Sequence, residues 1–188
     1  CFTPDQFEKY ADGNSTVVIV DLLRATTVIS VAFENGINAV IPVQTLEEAL
    51  EYKNQEEYIL AAERNTKPVE GFVYGNSPYH YINSRIKGKT LVLTTTNGTK
   101  AIHLAKKHKV ITASFVNIDA VAKYLIEESN NVIILCSGWK NLFNLEDPIF
   151  AGALSNLLLN SGDFKSNCDA LLAAQQLYAN AKDDIFLF

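Results

Sequence analysis

Thr16-Val17-Val18-Ile19-Val20-Asp21-Leu22-Leu23-Arg24-Ala25-Thr26-Thr27 decides the reading of this chain. Its first five residues are all β-branched, the pattern of a strand buried on both faces rather than one that alternates between core and water. The run stops at a charged residue, Asp21. A helix is expected from about Arg24 to Glu34, closed by the stop signal Asn35-Gly36.

The same alternation repeats outward from this unit. Ala39-Val40-Ile41-Pro42-Val43 predicts a second strand, placed at an edge because Pro42 cannot donate to a ladder. Thr45 with Glu48 three residues on predicts a capped helix start. Further strands are expected at Tyr58–Ala62, Thr90–Leu93, Val110–Ala113 and Val132–Cys136. Helices are expected at about Thr99–Lys107, Ile118–Glu128, Leu145–Asn160 and Asn167–Asp183. From Glu63 to Pro78 the chain is rich in Gly, Asn and Pro and reads as a long loop. Alternating β and α units predict an α/β fold, a mainly parallel or mixed sheet covered by helices in three layers. The 188 residues fit a single domain of two tightly packed lobes, about 1–85 and 86–188. The chain opens at Cys1, holds no Met and stops in the apolar run 185–188, so a truncated C-terminus is expected.

Composition excludes several classes. Lys plus Arg number 16 and Asp plus Glu 21, a net charge of −5, so no basic stripe for nucleic acid is expected. No apolar run is long enough to span a membrane. Three widely spaced cysteines form neither a disulfide framework nor a paired-cysteine zinc site. A cytoplasmic protein is expected, with self-association left open.

In open α/β sheets, ligands bind beyond the carboxyl ends of the strands. Here those ends carry Asp21, Arg24, Thr26 and Thr27; Glu63 and Arg64; Thr94, Thr95, Thr96, Asn97 and Gly98; then Cys136, Ser137 and Gly138, followed by Glu146 and Asp147. Cys136 also fits a buried core thiol. Thr94 to Gly98 is expected to form an anion-binding turn leading into a helix, against the alternative of an Asn-Gly hairpin. No G-x-G-x-x-G follows a strand, and no G-x-S-x-G elbow occurs. Asp21-Leu22-Leu23 lacks the second Asp of haloacid dehalogenase-type phosphatases, and Cys136 has Leu142, not Arg, six residues on.

Val20-Asp21-Leu22-Leu23-Arg24-Ala25-Thr26-Thr27 resembles the 2-phosphosulfolactate phosphatase family, whose pattern reads V-D-x-L-R-A-T-T. The resemblance continues through Ala62-Glu63-Arg64, Glu70-Gly71-Phe72, Gly75-Asn76-Ser77-Pro78, Gly88–Thr99, Leu145-Glu146-Asp147 and Ala151-Gly152-Ala153. Ala62 replaces the family's usual Gly, Val73 its usual Asp, and Pro148 its usual Thr.

That resemblance implies Mg²⁺-dependent hydrolysis of 2-phospho-3-sulfolactate to 3-sulfolactate and phosphate, which in methanogens serves coenzyme M synthesis. The substrate is a small anionic phosphate ester. Asp21, Glu63 and Asp147 are the implied catalytic residues, and Asp21, Glu63, Glu146 and Asp147 offer the hard oxygen ligands that Mg²⁺ takes. Arg24 and Arg64 offer fork-shaped donors to anions. Asn76 and Ser77 join Thr26, Thr27, Thr94–Gly98 and Cys136–Gly138 as substrate-binding residues. Direct attack by water is favoured, since no nucleophile motif is present, with Asp21 as a covalent nucleophile kept open. A phosphatase for another small phosphomonoester, or an anion-binding relative without turnover, are the alternatives.

Overall fold

The computed structural model describes residues 1–65 and 67–184; the apolar run 185–188 lies outside them. In chain order the elements are β1 (Thr16–Val20), α1 (Ala25–Glu34), β2 (Ala39–Pro42), α2 (Leu46–Leu50), β3 (Tyr58–Arg64), β4 (Lys67–Pro68), β5 (Thr90–Thr94), α3 (Gly98–Leu104), β6 (Lys109–Ala113), α4 (Ile118–Glu128), β7 (Val132–Cys136), α5 (Glu146–Asn160) and α6 (Asp169–Ala181). The expected α/β architecture of parallel strands covered by helices is present.

The strands divide into two sheets rather than one. β1 lies at the centre of the first, in parallel register with β6 on one side and β7 on the other. All five of its residues are buried, as its unbroken β-branched run requires. The second sheet runs β2-β5-β3-β4, parallel except for the antiparallel β3–β4 pair. Pro42 sits on the edge strand β2, where its missing N–H costs no ladder bond. Each sheet takes strands from both sides of residue 85, so a division into lobes there does not follow the sheets.

The helices explain the division. Val18 and Val20 pack against Val121, Leu125, Phe150 and Leu154 of α4 and α5. On the opposite face Val17 and Ile19 pack against Ala101 and Ala105, in and just after α3. Yet α3 leaves from β5, in the other sheet. Conversely α1 leaves from β1 and lays Val28, Ile29 and Ala32 on Leu91 and Leu93 of β5. Each crossing helix therefore starts at one sheet and covers the other, and α1 and α3 pack together between them. Their amino ends meet where β1 and β5 stop.

Several element ends differ from expectation. β3 runs two residues further, because Glu63 and Arg64 pair with Pro68 and Lys67. α3 stops at Leu104, and Lys106 and Lys107 lie in the following turn, closed by His108 N–H donating to the Ala105 carbonyl. Thr45 caps α2 by accepting from the Glu48 N–H, while Glu48 reaches back to the Gln44 N–H, one residue earlier than a reciprocal box.

Candidate active site

Asp21 lies in the turn between β1 and α1, its carboxylate accepting the Ala25 N–H at 3.1 Å. The Gly98 amide, at the start of α3, also donates to it. A Cβ at Gly98 would stand 2.7 Å from both Asp21 Oδ2 and Ala25 Cβ, so only glycine lets α3 approach this closely. Thr26 fixes the turn: its hydroxyl donates to the Asp21 carbonyl at 2.9 Å and accepts the Asp21 N–H at 3.2 Å.

Glu63, at the end of β3, accepts the Thr96 N–H and the Thr96 hydroxyl, at 3.2 and 3.3 Å. Asp21 and Glu63 are 8% and 6% exposed, mostly enclosed but still in touch with solvent. Burial first, and then the charges of Glu63 and Glu146, push the Asp21 carboxyl up to about 6. Glu146, the first residue of α5, is half-buried.

Asp147 is different. It is 0% exposed, and its two oxygens accept the Leu22 N–H at 2.8 Å and the Gly138 N–H at 3.2 Å. It thereby ties the loop after β1 to the loop after β7. Burial, and next the charge of Asp21, push its carboxyl up to about 7. An enclosed carboxylate with both oxygens engaged by backbone acts as a clamp between the two loops.

Other expected residues also redistribute. Arg24 is half-buried at the start of α1, and among the described residues its side chain makes no hydrogen bond or ion pair. Arg64 is committed to the protein: it donates to the Glu63 and Gln44 carbonyls and to Thr94 Oγ1, at 2.7, 3.2 and 2.8 Å. Its expected anion fork is in large part a brace across the ends of β2, β3 and β5. Thr26 and Thr94 are fully buried, and Thr95 engages the N–H of Thr99, so these hydroxyls shape turns. Thr27 donates to the Leu22 carbonyl. Cys136 is a core thiol against Ala151 and Ala174, pushed above its ordinary range chiefly by burial. Asn76 is buried with an unpartnered Oδ1, in a loop that bonds to β3 through Tyr74 and packs against α1 through residues 78–81. No hydrogen bond joins Asn76 or Ser77 to the carboxylates. Val73, where the family has Asp, is exposed.

Thr94 to Gly98 is indeed a turn into a helix, not a hairpin. Several of its backbone donors are engaged within the protein: Thr96 N–H by Glu63, Gly98 N–H by Asp21 and Thr99 N–H by Thr95. The turn therefore positions the carboxylates of Asp21 and Glu63. Asn97 Oδ1 accepts the Lys140 N–H from the loop after β7. The sequence reading passes over Lys100, Lys140 and Asn141, which the folded chain brings to this end of the molecule. Lys100 stands three residues beyond Asn97, within the first turn of α3, and that spacing was the available signal.

A family model described as 2-phosphosulpholactate phosphatase matches residues 1–187. This chain belongs to that family. Among similar proteins is the "Probable 2-phosphosulfolactate phosphatase" of Caldanaerobacter subterraneus subsp. tengcongensis, 38% identical over 174 residues, 90% of this chain and 72% of that one. The protein of the same name from Clostridium novyi is 40% identical over 173 residues, covering 90% and 73%. That of Clostridium acetobutylicum is 39% identical over 184 residues, covering 95% and 77%. The family is one of phosphoric monoester hydrolases. Among the described residues no helix is long and apolar enough to cross a membrane.

Metal fit rests on the donor set. Among the described residues no group of three or more His, Cys, Asp or Glu is arranged to hold an ion, so the expected four-carboxylate cage is not formed. Mg²⁺ needs less: it is commonly bound by one or two carboxylates, with water and substrate phosphate completing its shell. Asp21 and Glu63 fit that requirement as two hard oxygen donors at strand ends, with the charge of Glu63 felt at Asp21.

Proposed function

We propose that this chain is a Mg²⁺-dependent phosphatase of the cytoplasm that hydrolyses 2-phospho-3-sulfolactate to 3-sulfolactate and phosphate. The observation that carries the reading is one turn, residues 21–25. It holds a buried carboxylate at its start and, three residues on, a guanidinium with no partner among the described residues. The names of the relatives support the substrate.

Asp21 and Glu63 are the residues that would hold Mg²⁺, which when bound neutralises charge on the phosphoryl oxygens. Arg24 binds the phosphoryl group through its planar pair of N–H donors. Thr96 keeps Glu63 oriented, and Gly98 and Ala25 do the same for Asp21. Asp147 holds the loops after β1 and β7 together around the site. Water attacks phosphorus; a P–O bond to water forms, the P–O bond to the ester oxygen breaks, and that oxygen leaves as the alcohol.

Chelator-dialysed protein is assayed for phosphate release from 2-phospho-3-sulfolactate with and without Mg²⁺. Release only with Mg²⁺ is expected. Full activity without metal removes the metal from the proposal, and release only from other members of a phosphomonoester panel removes the substrate.

A further inference from the structure

Beside the carboxylates is a recess of about 250 Å³, walled by the β5–α3 turn and the loop after β7, whose lining includes Thr96, Asn97, Lys100, Ser137, Lys140 and Asn141. We propose that it binds the second acidic group of the substrate, a sulfonate or carboxylate, and so sets specificity for phosphate esters that carry one. The assignment rests on the phosphatase reading above and adds to it residues which that reading does not use.

Charge is the first argument. The chain carries a net −5, yet two ammonium groups and no carboxylate line this recess. Neither lysine belongs to the ion pairs among the described residues, Lys109–Glu128 and Lys123–Glu127. Lys100 Nζ donates to Asn141 Oδ1 at 3.3 Å, and Lys140 Nζ lies over the Trp139 ring, 5.6 Å from its centroid, a contact that leaves N–H donors open. The second argument is the Ser137 hydroxyl. It is buried, 1% exposed, and has no hydrogen-bond partner although it lines the recess. Buried polar groups are nearly always satisfied, and a ligand oxygen at this point would satisfy this one.

Position is the third. Thr96 gives one side of its residue to the recess and bonds Glu63 with its N–H and hydroxyl. Ser137 directly precedes Gly138, whose N–H is held by Asp147. The loop that carries Lys140 is held in shape: its N–H is bonded to Asn97, and a Cβ at Gly138 would lie 2.5 Å from the Leu142 carbonyl oxygen. A small substrate with its phosphoryl group at Asp21 and Arg24 therefore has a cationic recess one turn away for its other acid.

The test compares wild type with the Lys100→Ala/Lys140→Ala double variant, each checked for an unchanged circular dichroism spectrum. The substrates are 2-phospho-3-sulfolactate and 4-nitrophenyl phosphate, which has no second acid. The preference for the first, as a ratio of kcat/KM values, is expected to fall on the order of tenfold, carried by KM. Lys100→Arg/Lys140→Arg is expected to retain most of it. An unchanged ratio, or equal loss on both substrates, overturns the assignment. Calorimetric titration with sulfoacetate separates it from the phosphatase reading. Lysine-dependent sulfoacetate binding without hydrolysis of any phosphomonoester leaves the recess standing and removes the phosphatase; hydrolysis with sulfoacetate binding indifferent to the lysines does the reverse.

Discussion

Asp21 and Asp147 are the same chemical group, each buried near the carboxyl ends of the strands and each raised well above the ordinary carboxylate range, to about 6 and about 7. What separates them is access. Asp147 is shut in, one oxygen on the Leu22 N–H and the other on the Gly138 N–H, so it joins a loop 125 residues away in sequence to one nine residues away. Asp21 as a residue is 8% exposed against 0% for Asp147, lies within reach of the Glu63 charge, and accepts the Ala25 and Gly98 N–H groups of two helix starts. Burial alone does not mark a reactive acid. An acid that bridges two loops and is wholly enclosed stabilises the site, while one on a residue that keeps some exposure, near a second carboxylate, can meet a ligand.

The largest expected effect follows from Asp21. Asp21→Asn removes the charge on which metal and phosphoryl binding depend, and turnover is expected to fall on the order of 10²–10³-fold. The neutral side chain keeps one acceptor for the Ala25 N–H and gives up the one for the Gly98 N–H, so a modest loss of stability beside the loss of turnover is expected. Steady-state kinetics with a thermal melt checks both. Near-normal turnover in this variant would erase the distinction from Asp147.

Asp147→Ala is expected to act on stability. It leaves the Leu22 and Gly138 amides buried without acceptors. At about 1–3 kcal/mol for each of the two unsatisfied groups, a loss of roughly 2–6 kcal/mol is expected, read from denaturant unfolding. Lost turnover at full stability would instead place Asp147 in the chemistry.

Both acids tie stability to pH in one direction. Folding raises their pKa values from 3.8 to about 6 and about 7, so the folded state binds protons more tightly than the unfolded one. Their contribution is fully present below about pH 4 and is lost as pH rises through 6 and 7. Chelated protein is therefore expected to melt at lower temperature at pH 8 than at pH 5. Mg²⁺ should recover more of the loss at pH 8, through Asp21. A flat profile would mean that the two acids are not desolvated as described.

Legibility divides along the same line. β1 was readable because an unbroken β-branched run has few other uses, and the residues at strand ends were readable because open α/β sheets bind ligands there. The separation into two sheets was not. Periodicity shows that α1 and α3 are helices but not which sheet each covers, and their crossing depends on small residues such as Ala25, Gly98 and Ala101 at the contact. Within the site, residue type named Asp21, Asp147, Arg24 and Arg64 alike. Which of them had its polar atoms already committed is a property of contacts between segments far apart in the chain.

Arg24 and Arg64 repeat the contrast between Asp21 and Asp147 with the opposite charge and a smaller stake. Both follow strand ends, and by residue type both suit a phosphoryl group. Arg64, however, spends N–H donors on the Glu63 and Gln44 carbonyls and on Thr94, whereas Arg24 has no partner among the described residues. Arg24→Lys keeps the charge but removes the planar fork, so it is expected to raise KM for the phosphate ester on the order of tenfold. Arg64→Lys is expected to change KM little and to cost about 1 kcal/mol of stability, since its acceptors are neutral and partly exposed. Lys107→Ala, in the solvated turn after α3, serves as the comparison that should move neither quantity. Equal rises in KM for Arg24→Lys and Arg64→Lys would show that Arg64 leaves its brace when substrate arrives. The division between committed and available side chains would then hold for the acids and fail for the arginines.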